Sequence, residues 1–363
     1  MCPPAWGEVS MPADGVMSLR KRSALLKVQS KTEGVMRVAV IGAGRMGQVH
    51  ARLLVGAKGV SGLLVADADV DKAKAVAKGL GAEAAVDAAH AIESADAAII
   101  ATPAEAQAFL VKAAATKGCP VFCEKPFGEN LSEARELATL VDSAGVLVRV
   151  GFQRRFDYGY HAARTAVLGN ELGKLYLIRL QVTEQGLPPS PKTNLIRNTA
   201  IHDFDLLRWL SGEEVVSVYA AGAQRGTSEF DPRLDPDTII VSVRLTNGVL
   251  AAVTVSRMSP LGYDIRAELV GSWDHVVVGW TGRTPVHSVE RDSTTIGTNP
   301  WRSWQGRFEE AYRKQMCDFL DSVAGGNHSF GAGVSDAVKA HCIAEAVKLS
   351  LVRGEPVFLE DRS

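Results

Sequence analysis

From Met36 onward, short β-branched runs alternate with Ala-rich segments whose apolar positions recur at helical spacing, the pattern of strand–helix–strand units that build a parallel sheet. This reading places strands at Val38–Ile41, Leu63–Ala66, Ala97–Ala101, Val121–Cys123 and Val146–Val150. Helices are predicted between them at Met46–Leu54, Asp71–Lys78, Glu105–Thr116 and Ser132–Ala144. After Gly151 the pattern changes. Leu175–Thr183, Val215–Ala221, Thr238–Thr246, Val249–Ser256 and Ile265–Val270 read as longer strands, mostly without intervening helices, so strands consecutive in sequence are expected to pair antiparallel. Between two of them, Asn247-Gly248 predicts a two-residue type I′ turn. Phe308–Val323 and Asp336–Leu349 have the spacing of amphipathic helices and are expected to return over one of the two halves. Residues 1–35 show no sustained period around the basic Arg20, Lys21 and Arg22, and are read as a disordered tail outside the fold.

Composition narrows the function classes. The 40 Lys and Arg residues balance 41 Asp and Glu, a net charge of −1, which argues against a surface built to neutralise nucleic-acid phosphates. No run approaches the roughly 18 apolar residues needed to cross a bilayer. The five cysteines, Cys2, Cys119, Cys123, Cys317 and Cys342, are odd in number and scattered, which fits a reducing compartment and a cytoplasmic protein. Cys119 and Cys123 have no His or third Cys at ligand spacing, so no metal site is expected.

The strongest chemical signal is Gly42-Ala-Gly44-Arg45-Met46-Gly47, placed directly after a strand and at the opening of a helix. Gly42 suits the tight turn, Gly44 lets backbone approach a pyrophosphate, and Gly47 lets helix and strand pack closely, with the helix N-terminus supplying free N–H groups. Asp67 ends the next strand, 20 residues after Gly47, where a carboxylate can accept from both adenosine ribose hydroxyls. A 2′-phosphate there would meet negative charge, and Ala68 and Asp69 bring no Arg, so NAD is expected over NADP. Thr102 lies at the carboxyl end of a further parallel strand, the edge where open α/β sheets bind ligands. The predicted fold class is thus α/β: a Rossmann-type doubly wound parallel sheet over residues 36–150, then an α+β unit over residues 151–363 with a large open, mainly antiparallel sheet.

Two further segments supply candidate chemistry. Glu124-Lys125-Pro126 leaves the carboxyl end of a central strand, and the Lys125 ammonium is placed to stabilise a developing alkoxide. Asn198 and His202 are four residues apart and share one face if their segment is helical; the imidazole is a candidate base for an alcohol proton. Asp203 and Asp205 are read as charges complementing the helix start or anchoring the loop, and His50 and His341 as structural histidines. Trp301, Trp304 and Phe308 are candidates to line a substrate mouth or to pack.

These segments, together with Gly151-Phe-Gln-Arg-Arg-Phe-Asp157, Ile201-His-Asp-Phe-Asp205 and Gly262-Tyr-Asp-Ile-Arg-Ala-Glu268, resemble the Gfo/Idh/MocA oxidoreductase family over about residues 36–358, and within it the inositol 2-dehydrogenase-like branch. The resemblance implies hydride transfer from a ring secondary alcohol of a cyclic polyol or sugar to NAD, and a C-terminal sheet used for assembly into a dimer or tetramer. It implies that Lys125 is the catalytic lysine, His202 the proton acceptor and Asn198 an orienting residue. Gly42, Gly44, Arg45, Met46, Gly47, Asp67, Thr102, Glu124 and Lys125 would hold the cofactor, and Arg155 and Tyr263, with Lys125, Asn198 and His202, the substrate. Arg155 as a salt bridge at the junction of the halves and Tyr263 as a packed sheet residue are the structural alternatives. One position departs from the family pattern: Asn198 stands where an Asp is usual, which implies a slower or more alkaline-dependent dehydrogenase, or a substrate other than myo-inositol. Dehydrogenation or reduction of another sugar derivative, and a non-catalytic dinucleotide-binding regulator, are the competing functions.

Overall fold

The computed structural model describes residues 35–185, 194–226, 235–286, 299–326 and 330–359; the expected tail, Val35 apart, lies outside them. Strands β1 (Met36–Ile41), β2 (Val60–Ala66), β3 (Glu83–Ala84), β4 (Ala97–Ile100), β5 (Val121–Cys123) and β6 (Val148–Val150) form one parallel sheet in the order β3-β2-β1-β4-β5-β6. Helices α1 (Arg45–Leu54), α2 (Val70–Leu80), α3 (Ala88–Glu93), α4 (Ala104–Lys117) and α5 (Leu131–Ala144) connect them. Strand order reverses between β1 and β4, which opens a crevice at the carboxyl ends of those strands. Every residue of β4 is buried, and so are Val38–Ile41 of β1, which is why both read as unbroken apolar runs. The pair β3 and α3 escaped the sequence reading because Glu83-Ala84 carries no β-branched residue.

The second sheet holds β7 (Leu175–Thr183), β8 (Val215–Ala223), β9 (Thr238–Leu245), β10 (Leu250–Ser256), β11 (Asp264–Gly271), β12 (His275–Val278) and β13 (Val357–Phe358) in the order β12-β11-β7-β10-β9-β8-β13. The expectation that consecutive strands pair is corrected at its centre. β7 lies between β11 and β10 and runs parallel to β10, whereas the other pairs are antiparallel, so the sheet is mixed. The chain leaves β7, forms α7 (Ile201–Ser211) and enters the sheet again as β8, and this helical crossover is what permits a parallel neighbour. In β9, buried Ile239, Val241, Val243 and Leu245 alternate with exposed Ile240, Ser242 and Arg244, giving one core face and one open face.

The β9–β10 turn also differs from expectation. Gly248 takes a positive φ of 83° but Asn247 does not. Leu245 N donates to Val249 O at 2.9 Å and Gly248 N to Leu245 O at 2.9 Å, which makes a three-residue loop with a glycine bulge. The Asn247 side chain accepts from Val249 N at 3.0 Å, a local bond that holds Asn247 away from the left-handed region.

The remaining helices are α6 (Tyr158–Leu168), α8 (Trp304–Val323) and α9 (Val334–Arg353). Both long C-terminal helices divide their length between the two sheets. Phe308, Ala311 and Tyr312 of α8 join the core under the second sheet, while Met316, Phe319 and Leu320 pack with Val38, Ile99 and Phe122 of the first. Along α9, Ala337 and Ala340 join the first unit's core, and Ile343, Ala344 and Val347 the second's.

Between the halves sits a buried charge network. The turn Gln153–Phe156 presents Arg154 to Asp203 at 2.6 Å and Arg155 Nε to Asp205 at 2.8 Å, and Arg155 Nη1 also donates to Asp336 of α9 at 3.2 Å. Arg208 continues it, donating to Asp336 at 3.3 Å and to Glu214 at 2.6 Å. Asp203 and Asp205 are thus ion-pair partners across the junction rather than helix-end charges. Removing one member strands a buried charge, whereas replacing a whole pair by apolar groups does not. Asp205→Ala is therefore expected to cost about 3–5 kcal/mol in urea unfolding, and the Arg155→Met/Asp205→Leu double variant far less.

Candidate active site

The glycine loop shows three different constraints. Gly42 has φ +100°, and a Cβ there would lie 2.6 Å from Ala101 O. At Gly47 a Cβ would lie 1.6 Å from Gly42 O, so the first turn of α1 and the loop touch through backbone alone. Gly44, the residue that caps α1, has nothing within 4 Å of its Cβ direction and faces open space. Buried contact on both sides with clearance in the middle fits a pyrophosphate laid against the helix N-terminus. Across the switch point, Thr102 Oγ1 is buried without a hydrogen-bond partner, as expected of a hydroxyl whose partner is a ligand.

Asp67 accepts from Ala43 N at 2.6 Å and from Asp69 N at 3.0 Å, and Lys72 Nζ stands 3.5 Å away. Burial acts to raise its pKa, but these N–H bonds and the Lys72 ammonium hold it below the ordinary value, so it is a carboxylate. Each oxygen keeps a lone pair for a ribose hydroxyl. Lys72, four residues beyond Ala68 in sequence, is a neighbouring cation that the sequence reading passed over. Exposed Arg45 places its guanidinium 5.9 Å over Trp304, and Met46 packs against the core of the second unit, so both tie the loop to α8 and the second sheet.

Lys125 leaves β5 through a cis Lys125–Pro126 bond, and Gln107 clamps this loop, donating to Glu124 O at 3.0 Å and accepting from Gly128 N at 3.0 Å. Lys125 Nζ donates to the main-chain carbonyl of Asn198 at 2.7 Å, so segments distant in sequence meet. Asn198 belongs to a π-helical turn, Ile196–Ala200, that runs straight into α7. His202 opens that fully buried helix, its ring edge-on to Phe152 at 5.8 Å and its Nδ1 without a partner. Burial, then the Lys125 and Arg154 charges, push the imidazole well below its usual pKa. It is neutral at physiological pH, and these same influences oppose its protonation. The alkaline dependence expected from Asn198 therefore does not arise at this histidine.

Burial likewise lowers Lys125, opposed by Glu124 and Glu184 and reinforced by Arg154 and Arg45. Tyr263 is buried, its N–H donating to Trp301 O at 2.8 Å. Its phenol is pushed up chiefly by burial, against the attraction of Arg154, with Glu184, Asp203 and Tyr160 adding to the rise. Lys125 thus meets Asn198 through a hydrogen bond and His202 through its charge, and Tyr263 shares with Lys125 the charges of Arg154 and Glu184.

Two expected ligand residues are placed elsewhere. Arg155 is buried and its guanidinium is committed to Asp205 and Asp336, so it is the junction salt bridge rather than a substrate contact. The Glu124 carboxylate turns inward to His50 Nε2 at 2.7 Å and to Lys125 N at 3.2 Å, which leaves it facing the protein rather than a cofactor. Gly151 makes room for it, since a Cβ there would lie 2.8 Å from Glu124 Oε2. Phe308 is fully buried packing, and Trp301 lies under the Arg283 guanidinium at 3.5 Å. The sequence reading missed Arg154 and Glu184, which act on the charges of Lys125; Arg154 was visible as the neighbour of Arg155, but a Glu at a strand end carries no signal by itself. Among the described residues no group of His, Cys, Asp and Glu could hold a metal ion, and no helix is long and apolar enough to cross a membrane.

Known proteins are similar to this chain in sequence and fold. Residues 36–152 match the GFO/IDH/MocA oxidoreductase family model, described as an NAD-binding Rossmann fold, and residues 160–275 match the GFO/IDH/MocA C-terminal domain. The chain is 34% identical to a myo-inositol dehydrogenase of Streptomyces leeuwenhoekii, over 85% of this chain and 96% of the relative. It is 30% identical to the scyllo-inositol 2-dehydrogenase (NAD(+)) of Bacillus subtilis, over 90% and 97%. Among solved structures, a myo-inositol dehydrogenase of Corynebacterium glutamicum superposes with a TM-score of 0.80 at 27% identity, covering 90% of this chain and 99% of that one.

The glycine constraints separate binding from folding. Gly44→Ala is expected to leave the melting temperature unchanged while weakening dinucleotide affinity at least about tenfold in calorimetric titration, roughly 1.4 kcal/mol. Gly47→Ala, which must displace backbone, is expected to lower the melting temperature as well.

Proposed function

Because the chain belongs to the GFO/IDH/MocA oxidoreductase family and its crevice joins Lys125 to the segment carrying His202, we infer that it is an NAD-dependent dehydrogenase oxidising a ring secondary alcohol of a cyclic polyol or sugar, with inositol the leading substrate. The observation that carries this is the neutral, buried His202 with an unpartnered Nδ1, beside an ammonium anchored on Asn198 O. Gly42, Gly44 and Gly47, with Asp67 and Thr102, hold the dinucleotide; bound NAD supplies the nicotinamide that accepts the hydride. Lys125 donates to the reacting oxygen and stabilises its developing charge, while His202 takes the hydroxyl proton. Asn198 and Tyr263 orient the ring. In this reading residues 36–150 serve the cofactor and residues 151–363 the substrate and assembly.

The open face of the second sheet, with Tyr219, Ile240 and Leu250 exposed, is the surface proposed to pair with a second copy of the chain. Cys119, Cys123 and Cys342 are free but Cys317 is disulfide-bonded, so the cysteines do not carry the reducing, cytoplasmic setting expected from their scatter in the sequence.

NADH formation across a panel of inositols and sugars, with NAD and NADP in parallel, tests the assignment; dinucleotide binding with no turnover on any member would replace it with a regulator. Lys125→Ala is expected to lower kcat by roughly 10²–10³-fold with little change in NAD affinity, as for loss of an oxyanion-stabilising donor. Asn198→Asp adds an anion four residues before His202, and where that carboxylate reaches the imidazole it raises its pKa, so the acid limb of kcat/KM is expected to move to higher pH; an unmoved limb would show that the side chain does not act on His202.

A further inference from the structure

Asn198 brings no charge to Lys125, and the two aspartates of α7, Asp203 and Asp205, are committed to Arg154 and Arg155. A carboxylate nevertheless reaches this point from another element. Glu184 directly follows β7, with its N–H donating to Ser256 O at 2.9 Å and its carbonyl accepting from Ser259 N at 2.9 Å. Its main chain is thereby clamped at the end of β10. The side chain turns to the π-helical turn before α7, where Oε1 accepts from Thr199 Oγ1 at 3.4 Å. The carbonyl of the preceding residue, Asn198, is the acceptor for Lys125 Nζ at 2.7 Å. Two consecutive residues of the π-helical turn therefore hold the ammonium on one side and the carboxylate on the other.

Among the described residues Glu184 stands in no ion pair within 4 Å, and burial raises its pKa against the pull of Lys125 and Arg154. Of the groups acting on Lys125, Glu124 is paired with His50, and Arg154 and Arg45 are cations. Of the cations acting on Glu184, Lys125 is the largest influence, while Arg154 also donates to Asp203 and Arg257 to Asp235 at 2.8 Å.

We propose that Glu184 is the anionic partner of Lys125, a positioning residue that keeps the ammonium charged and aimed at the reacting oxygen, supplying from β7 the charge that the π-helical turn leaves to a neutral Asn198. The proposal rests on the reading of Lys125 as the group that polarises the substrate oxygen. Burial, the largest influence on both side chains, disfavours their charged forms, and their mutual attraction opposes it. Losing the carboxylate therefore makes Lys125 easier to deprotonate.

The test follows Lys125 itself. In the full chain labelled with [¹³Cε]lysine, the Lys125 resonance is identified by its loss in Lys125→Arg and titrated with pH in the absence of substrate. In Glu184→Gln, which keeps volume and a Thr199 partner, the midpoint is expected about one pH unit lower, a tenfold loss of proton affinity. Glu184→Asp is expected to fall between the two, and adding Asn198→Asp to Glu184→Gln to move the midpoint back up. An unchanged midpoint in Glu184→Gln overturns the proposal, and if that variant does not fold, an unchanged midpoint in Glu184→Asp does so. The titration needs no turnover, so an enzyme inactive on every polyol would defeat the functional reading and leave this result intact. With an active substrate, the alkaline limb of kcat/KM is expected to shift down with the same midpoint; loss of activity without that shift would show a packing role instead and also overturn the proposal.

Discussion

Two arginine–aspartate pairs hold the helix that carries His202. Helix α7 is buried along its whole length, so it cannot be placed by an amphipathic stripe facing one core. Its register is set by Asp203 and Asp205, which find Arg154 and Arg155 on the turn that follows the parallel sheet. Buried charges tolerate little displacement because each must keep its partner. With those aspartates pinned, His202 has one place to go, under Phe152 and toward the crevice. Burial pushes Asp203 up from 3.8 to about 6 against the pull of Arg154, so the charged pair is complete only above that range, and ionising this carboxylate lowers the stability of the fold as pH rises from 3.8 to about 6.

The same junction brings the parallel sheet, matched as NAD-binding, and the mixed sheet together. The parallel sheet presents its switch point, the open Gly44 and the Lys125 loop from one side. The mixed sheet brings Glu184 and Tyr263 from the other, and α8 and α9 bind both cores along their length. Lys125 then closes the gap by a hydrogen bond to Asn198 O, and the charges of Glu184 and Arg154 reach it there. The lysine is consequently a reporter of the whole junction, since its protonation depends on groups from β5, α1, β7 and the Gln153–Phe156 turn.

Most of the cofactor side was legible because its constraints are local. A tight turn, a helix start and a strand-end acid lie within 26 residues, from Gly42 to Asp67, and each demands a residue type at a fixed spacing. The segments carrying Lys125, Asn198 and His202 were legible only as a set of motifs. Asn198 and His202 were expected to share a face through their spacing, yet it is the main chain of Asn198, in a π-helical turn, that meets Lys125. Arg155 and Glu124 carried the same motif weight as Lys125, and only their partners reveal that they face the protein.

The amino-acid sequence by itself determined the parallel unit, the dinucleotide loop and the alternating strands of the second sheet, because backbone sterics and the periods of helix and strand act between near neighbours. The order of the second sheet, with β7 parallel to β10, was decided by a crossover helix whose burial no local period records. So was the electrostatics of the crevice. Which carboxylate faces Lys125 and which is consumed by an arginine depends on charges brought together from segments up to 181 residues apart, as Arg155 and Asp336 are, and such pairings exist only once the chain has folded.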